Sequence, residues 1–145
     1  MIEVKEITKN FGRKKILKGV SFTAKKGEIT CLIGINGVGK TTILNAIMAL
    51  TPINKGEILI NGETINKKTF ENVTFIPDAI TMLPHMKISE AMDFMNDFYT
   101  CWNQERAMEL LGFFRLNETD RISSLSKGNT AKVNLLLGLA MDVDF

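Results

Sequence analysis

The run Gly34-Ile35-Asn36-Gly37-Val38-Gly39-Lys40-Thr41 fills every slot of G-x-x-x-x-G-K-[ST], directly after the strand-like stretch Glu28-Ile29-Thr30-Cys31-Leu32-Ile33. Few runs this short restrict a fold as strongly. Glycines at 34, 37 and 39 remove the Cβ atoms that would keep a backbone from wrapping a polyphosphate, and they permit the positive φ angles of such a turn. The cradle is then made of backbone N–H groups, backed by the positive end of a helix expected from Lys40 to about Leu50. Lys40 adds a full charge for β and γ phosphates, and Thr41 offers a hydroxyl to magnesium. A glycine-rich turn that merely joins strand to helix explains neither the lysine nor the hydroxyl. Ile43, Leu44, Ile47, Met48 and Leu50 make the helix apolar over most of its circumference, so it is expected to be buried and to stop at Thr51-Pro52.

A chain of 145 residues, 45% of them apolar, is one domain at most and has enough apolar side chains for a core. Eighteen basic and sixteen acidic residues leave +2, too little for a nucleic-acid binder. Residues 1 to 26 are locally basic, with eight Lys or Arg against Glu3 and Glu6, a pattern read as solvated strand and turn faces. Cys31 and Cys101 lack metal-ligand spacing and no signal peptide is visible, so reduced thiols in a cytosolic protein are expected. The longest apolar run, Leu135 to Met141, is too short to span a bilayer. Membrane contact is therefore expected through a partner.

Alternation in Ile2–Ile7 and Val20–Ala24 predicts strands, with Lys26-Gly27 turning into the strand before the glycine loop. Ile58–Ile60 and Thr64-Ile65 flank Asn61-Gly62, a dipeptide suited to a tight hairpin turn. Asn72–Ile76 reads as a further strand, closed by Pro77. From Ile88 the period becomes helical through Ala91, Phe94, Met95, Phe98 and Trp102. A second helix carries Ala107, Leu110, Leu111 and Phe114 behind an Asn103 cap, and a third starts at Ser126 and includes Val133, Leu136, Leu137 and Ala140. The methionine and aromatic stripes are read as core. His85, the only histidine, is read as a loop residue.

Leu125-Ser126-Lys127-Gly128-Asn129, 85 residues beyond Lys40, resembles the L-S-G-G-Q signature of the ATP-binding cassette family, with Lys127 and Asn129 as departures. Asn10-Phe11-Gly12 is similar to the family's adenine-stacking loop, although an edge-strand core residue would read the same. Ile16–Phe22, Lys26–Ile29, Asn45, Gly56–Ile58 and Gly62 also fit. The resemblance implies an α/β fold, a P-loop NTPase core with an N-terminal antiparallel β element and a helical subdomain that carries the signature. The expected division is a β-rich nucleotide-binding part at 1–85 and a helical part at 86–145, together one incomplete domain. It implies ATP and Mg²⁺ as cofactors, held by Phe11, Gly34, Asn36, Gly37, Val38, Gly39, Lys40, Thr41 and Thr42. The signature acts in trans on a second ATPase subunit, and a transmembrane permease is the other partner, reached from the cytoplasmic face of the membrane.

Phe75-Ile76-Pro77-Asp78 departs from the family, which places glutamine where Asp78 stands. A carboxylate is the better ligand for a hard cation, so Asp78 is assigned to Mg²⁺ beside Thr41, with a loop cap as the competing role. Asp78 and the wording Leu-Ser-Lys-Gly-Asn are similar to bacterial exporters of drugs and antimicrobial peptides. The chain stops at Met141–Phe145, where the family begins its second catalytic strand, so it is expected to be the front portion of a longer cassette. Alone it is expected to hydrolyse ATP hardly or not at all and to associate with other copies. Competing readings are a soluble cassette acting on ribosomes or DNA, a kinase or GTPase, and a module that binds nucleotide without turnover. No charged linker, coiled coil or Asn-Lys-x-Asp run supports the first two.

Overall fold

In the computed structural model, which describes residues 1–145, the chain begins with a long hairpin. β1 (Ile2–Phe11) and β2 (Lys14–Ala24) pair antiparallel around Gly12, whose φ of 58° suits the tight reversal. Both strands run beyond the alternating stretches legible in sequence. β3 (Lys55–Ile60) pairs antiparallel with the other edge of β1. The register slips between Lys5 and Thr8, and there Gly56, at φ 95°, passes so close that a Cβ would lie 2.5 Å from the carbonyl oxygens of Lys5 and Glu6. The short β4 (Glu63–Thr64) completes the order β2-β1-β3-β4. Asn61 and Gly62 connect β3 to β4 with φ 53° and 81°, the two left-handed residues expected of this turn.

The glycine loop leads into α1 (Lys40–Ile47), which sets Ile43, Ala46 and Ile47 against Ile2, Val4, Ile7, Leu17, Ile58 and Ile60 of the sheet. Two expectations fail here. The helix ends at Ile47 rather than near Leu50, and it is not buried all round, since Leu44 is 42% and Leu50 66% exposed. Nor is Glu28–Ile33 a strand. It belongs to no ladder, Ile29 is fully exposed, Ile33 is 90% exposed and Cys31 faces solvent. Apolar, β-branched composition makes a segment fit for a sheet, but strand structure exists only where a neighbour supplies the ladder, and no strand of the chain lies beside it. Asn72–Ile76 fails for the same reason: a 3-10 turn at Thr69–Asn72 is followed by backbone that joins no ladder, with Val73 buried in the sheet-side core.

The rest is helical: α2 (Ile88–Phe98), α3 (Gln104–Phe113) and α4 (Lys127–Leu139). Glu90 reaches back to the Lys87 N–H at 2.8 Å to open α2. Asn103 caps α3 as expected, its Oδ1 accepting from the Arg106 N–H at 2.9 Å. Ile88, Ala91, Met92, Met95, Ala107, Leu111, Val133, Leu136 and Leu137 form the core of this part. The aromatic stripe divides, contrary to the reading as core. Trp102 and Phe114 pack against the helical core, but Phe94 and Phe98 stack on each other at 4.4 Å while 39% and 70% exposed.

By packing, the chain forms two units, Met1–Val73 with Asp144–Phe145, and Thr74–Val143. The change of periodicity near residue 86 falls later than this division, because Ile80, Met82 and Met86 pack against the helical core. In the first unit Asp144 accepts from Lys26 at 2.5 Å and from Asn61 at 3.1 Å, and the Lys26 ammonium holds its carboxyl below the usual carboxylate range. No helix is long and apolar enough to cross a membrane.

Candidate phosphate-binding site

Gly39 precedes α1 with φ 112° and ψ 10°, and no side chain caps the helix. Its left-handed turn aims the chain into the first helical turn, where Ile43 N–H makes the first i→i−4 bond, to Gly39 O at 2.9 Å. Lys40, Thr41 and Thr42 precede that bond, so their amides have no acceptor within the helix. An anion at this terminus meets free donors and the positive end of the dipole.

Upstream, the loop curls on itself. Val38 N–H donates to Ile35 O at 3.4 Å, and a Cβ on Gly34 would lie 2.8 Å from the Val38 side chain, so only glycine fits without a shift. Gly37 carries φ 81°. Lys40 folds back across the loop and donates from Nζ to Gly34 O at 2.6 Å and Ile35 O at 3.0 Å. These carbonyls hold the ammonium over the concave backbone, where a phosphate would share it. Asn36, Val38 and Thr41 are exposed and Thr42 is half-buried.

The hairpin meets this loop. A Cβ on Gly39 would lie 2.7 Å from Leu17 Cδ2 and 3.0 Å from Ile16 Cγ2, so β2 packs directly on the residue before Lys40. Leu17 is in register with Lys9, and Phe11 follows two residues later, 54% exposed. Phe11 is therefore not a core residue, and the hairpin brings it to the same end of the unit as the loop. A cleft of about 490 Å³ opens elsewhere, against Ala46, Ala49, Pro52, Ile58 and Ile65, and contains no loop residue. The chain gathers no group of three or more His, Cys, Asp or Glu side chains fit for a metal. A magnesium ion would thus need phosphate oxygens as ligands beside the Thr41 hydroxyl, its ordinary habit with nucleotides.

In the second unit, Leu125 is half-buried and Ser126 caps α4, its Oγ accepting from Asn129 N–H at 3.3 Å. Lys127 and Gly128 are exposed, and a Cβ on Gly128 would meet nothing within 4 Å. Asp78 is exposed on a bend. That bend is tied to α4, because the Asn134 side-chain amide donates to Pro77 O and Gly138 lets the Ile76 side chain lie against the helix. The structure thus joins Asp78 and the 125–129 helix in one unit, and Phe11 and the 34–41 loop in the other. Lys9, which sequence reading passed over, is buried with its ammonium 4.9 Å from the Phe11 ring centroid. The signal was its i, i+2 spacing to an aromatic on one strand.

Comparison with known proteins accords with this geometry. The ABC transporter family profile matches residues 17–145. The chain is 34% identical to the linearmycin resistance ATP-binding protein LnrL of Bacillus subtilis over 93% of its own length and 46% of that protein's. It is 30% identical to the ribose import ATP-binding protein RbsA of Lacticaseibacillus paracasei, over 97% of this chain and 31% of the relative. A solved ATP-binding subunit of an ABC transporter superposes with a TM-score of 0.87 at 26% identity, covering 97% of this chain and 62% of that one. The chain spans about half the length, or less, of the curated relatives named here. With its profile match covering most of its residues, the chain belongs to the ABC transporter family, in the class of the ATP-binding subunit.

Proposed function

We propose that the chain supplies the phosphate-gripping and signature-bearing parts of an ABC ATPase that hydrolyses ATP to drive export through a membrane permease. The observation that carries this is the start of α1: an uncapped helix, entered through a left-handed glycine, with Lys40 held across the preceding loop. Gly34, Asn36, Gly37, Val38, Gly39, Lys40, Thr41 and Thr42 bind the triphosphate, and Phe11 stacks on the adenine. Mg²⁺, held by phosphate oxygens beside the Thr41 hydroxyl, would neutralise charge on the transferring phosphoryl group, and the assignment of Asp78 to the ion rests on the preference of a hard cation for a carboxylate. Leu125, Ser126, Lys127, Gly128 and Asn129 seal the nucleotide of a second subunit in trans, and the pair works at the cytoplasmic face of the membrane. Export is favoured by LnrL, a resistance protein, and by Asp78 and the Leu-Ser-Lys-Gly-Asn wording, whereas RbsA is named for import.

Little or no turnover is expected of these 145 residues alone. The loop grips phosphate, but neither it nor the first turn of α1 carries a carboxylate or imidazole to aim a water at the γ-phosphate. Titration calorimetry of the chain with MgATP tests the core of the proposal: saturable one-to-one heat is expected, and its absence from folded material overturns the reading. For Asp78, the Asp78→Ala variant is expected to bind ATP with a weaker dependence on Mg²⁺ concentration. An unchanged dependence leaves Asp78 a loop residue.

A further inference from the structure

Lys9 is one of only two polar or charged side chains that the fold buries, the other being Thr69. Lysine is almost never buried without a partner, and the usual partner is a carboxylate. Here the ammonium instead donates to the Pro52 carbonyl at 2.5 Å and lies 4.9 Å from the centroid of the Phe11 ring. The backbone around it is clamped from the same side: Asn10 N–H donates to Asn54 Oδ1 at 2.7 Å, and Asn54 N–H donates to Thr8 O at 2.8 Å. The segment 52–54 thus grips the end of β1 at three successive residues. The ring beyond them stays 54% exposed, with the ammonium against one side.

Place relative to the glycine loop follows from register. Lys9 is paired with Leu17, and Leu17 touches Gly39, the residue that turns the loop into α1. Phe11 lies two residues further along β1, about 7 Å at ordinary strand rise. The ring thus lies one such step along the hairpin from the Lys9–Leu17 pair that meets the loop, and the base of a nucleotide held at the loop would find it as an aromatic surface.

We propose that Lys9 is a positioning residue for the purine: its ammonium, fixed by Pro52, holds the Phe11 ring at a set angle and leaves the other face to stack on the base. The inference rests on the reading of Phe11 as the base-stacking residue. A cation on one face draws electron density through the ring, so the free face favours an electron-rich partner, which a purine is. Lysine earns its burial here by ordering an otherwise exposed aromatic rather than by pairing with an acid.

The test separates base from phosphate. Calorimetry on the full chain compares MgATP with magnesium tripolyphosphate, which carries the same charge-bearing tail and no base, for the parent, Lys9→Met, Lys9→Arg, Phe11→Ala and the Lys9→Met/Phe11→Ala double variant. Lys9→Met is expected to weaken MgATP about two- to fivefold, the usual worth of such a contact, and to leave tripolyphosphate unchanged. Lys9→Arg restores most of the loss, and the double variant binds no worse than Phe11→Ala alone. Equal weakening of both ligands by Lys9→Met overturns the proposal, because the lysine then serves the fold in general. Phe11→Ala weakening MgATP while Lys9→Met matches the parent overturns it with the stacking role intact. Phe11→Ala binding MgATP like the parent removes the stacking role and this proposal together, while the phosphate reading stands or falls on the parent's tripolyphosphate heat.

Discussion

Two helices of this chain begin at motifs that sequence reading assigns to nucleotide, and they begin in opposite ways. α4 caps itself: Ser126 Oγ accepts from Asn129 N–H at 3.3 Å, and Thr130 Oγ1 donates to Ser126 O at 3.1 Å. α1 has no side-chain cap, and a glycine at φ 112° stands in the capping position. The glycines differ too. Gly39 is hemmed in by Ile16 and Leu17, whereas Gly128 has open space around it. A helix start shaped by its own protein, with donors left over, is built for a ligand of that protein. One that caps part of its own first turn, with glycine where the chain itself does not need it, has that glycine explained only if something outside approaches.

Lys40→Ala strikes this contrast hardest. If the ammonium binds phosphate as proposed, removing it deletes those charge-assisted hydrogen bonds, and affinity for MgATP is expected to fall about thirtyfold or more, with little change in thermal stability. Calorimetry beside a melting curve reads both, and retention of parental affinity would break the assignment of α1. Next in size is Gly39→Ala. Alanine must adopt a left-handed conformation and also press on Leu17 and Ile16, at an expected cost of about 2 kcal/mol in unfolding free energy. Urea melts check it. A loss below about 0.5 kcal/mol would mean that the loop relaxes freely and that the hairpin does not brace it.

What could be read beforehand follows the range of the forces involved. Asn61-Gly62, Asn103 and Ser126 act on residues three or four places away, so their turn and caps were legible as sequence and appear where expected. The glycine loop is equally local, since positive φ at Gly37 and Gly39 and a lysine one residue on are properties of adjacent residues. Ile29 and Ile33 were misread because their strand needs a hydrogen-bonded neighbour that spacing cannot supply. Phe94 and Phe98 share a helix face, as their spacing predicts, but periodicity states which residues lie together and not what covers them. Alternation from Ile7 puts Lys9 on the covered face of β1, but nothing in the spacing says that the Pro52 carbonyl returns to meet its ammonium.

Gly128→Ala gives a smaller effect of the opposite sign. Its φ lies outside the left-handed range and a Cβ there meets nothing, so alanine is expected to stabilise the chain by about 0.5–1 kcal/mol through helix propensity. The trans role proposed for residues 125–129 then predicts a divergence. The same substitution should lower ATP-dependent dimerisation of the complete protein, measured by light scattering, while the chain's melting temperature rises. If both rise together, no partner presses on this helix start and the contrast with Gly39 loses its functional meaning.

Ser126→Ala is the finest test. The cap it removes is long at 3.3 Å and solvent-exposed, so the expected cost is about 0.5 kcal/mol, the lower end for such caps. For a chain of this size that is a fall of about 1–2 °C in melting temperature. Ser126→Gly is expected to lose still less, because glycine is tolerated at a cap position. MgATP affinity of the chain should not change in either variant, since the triphosphate of this chain is assigned to α1. A drop in affinity with Ser126→Ala, with the melting curve as expected, would place the serine at the nucleotide of its own chain and erase the division of labour between the two helix starts.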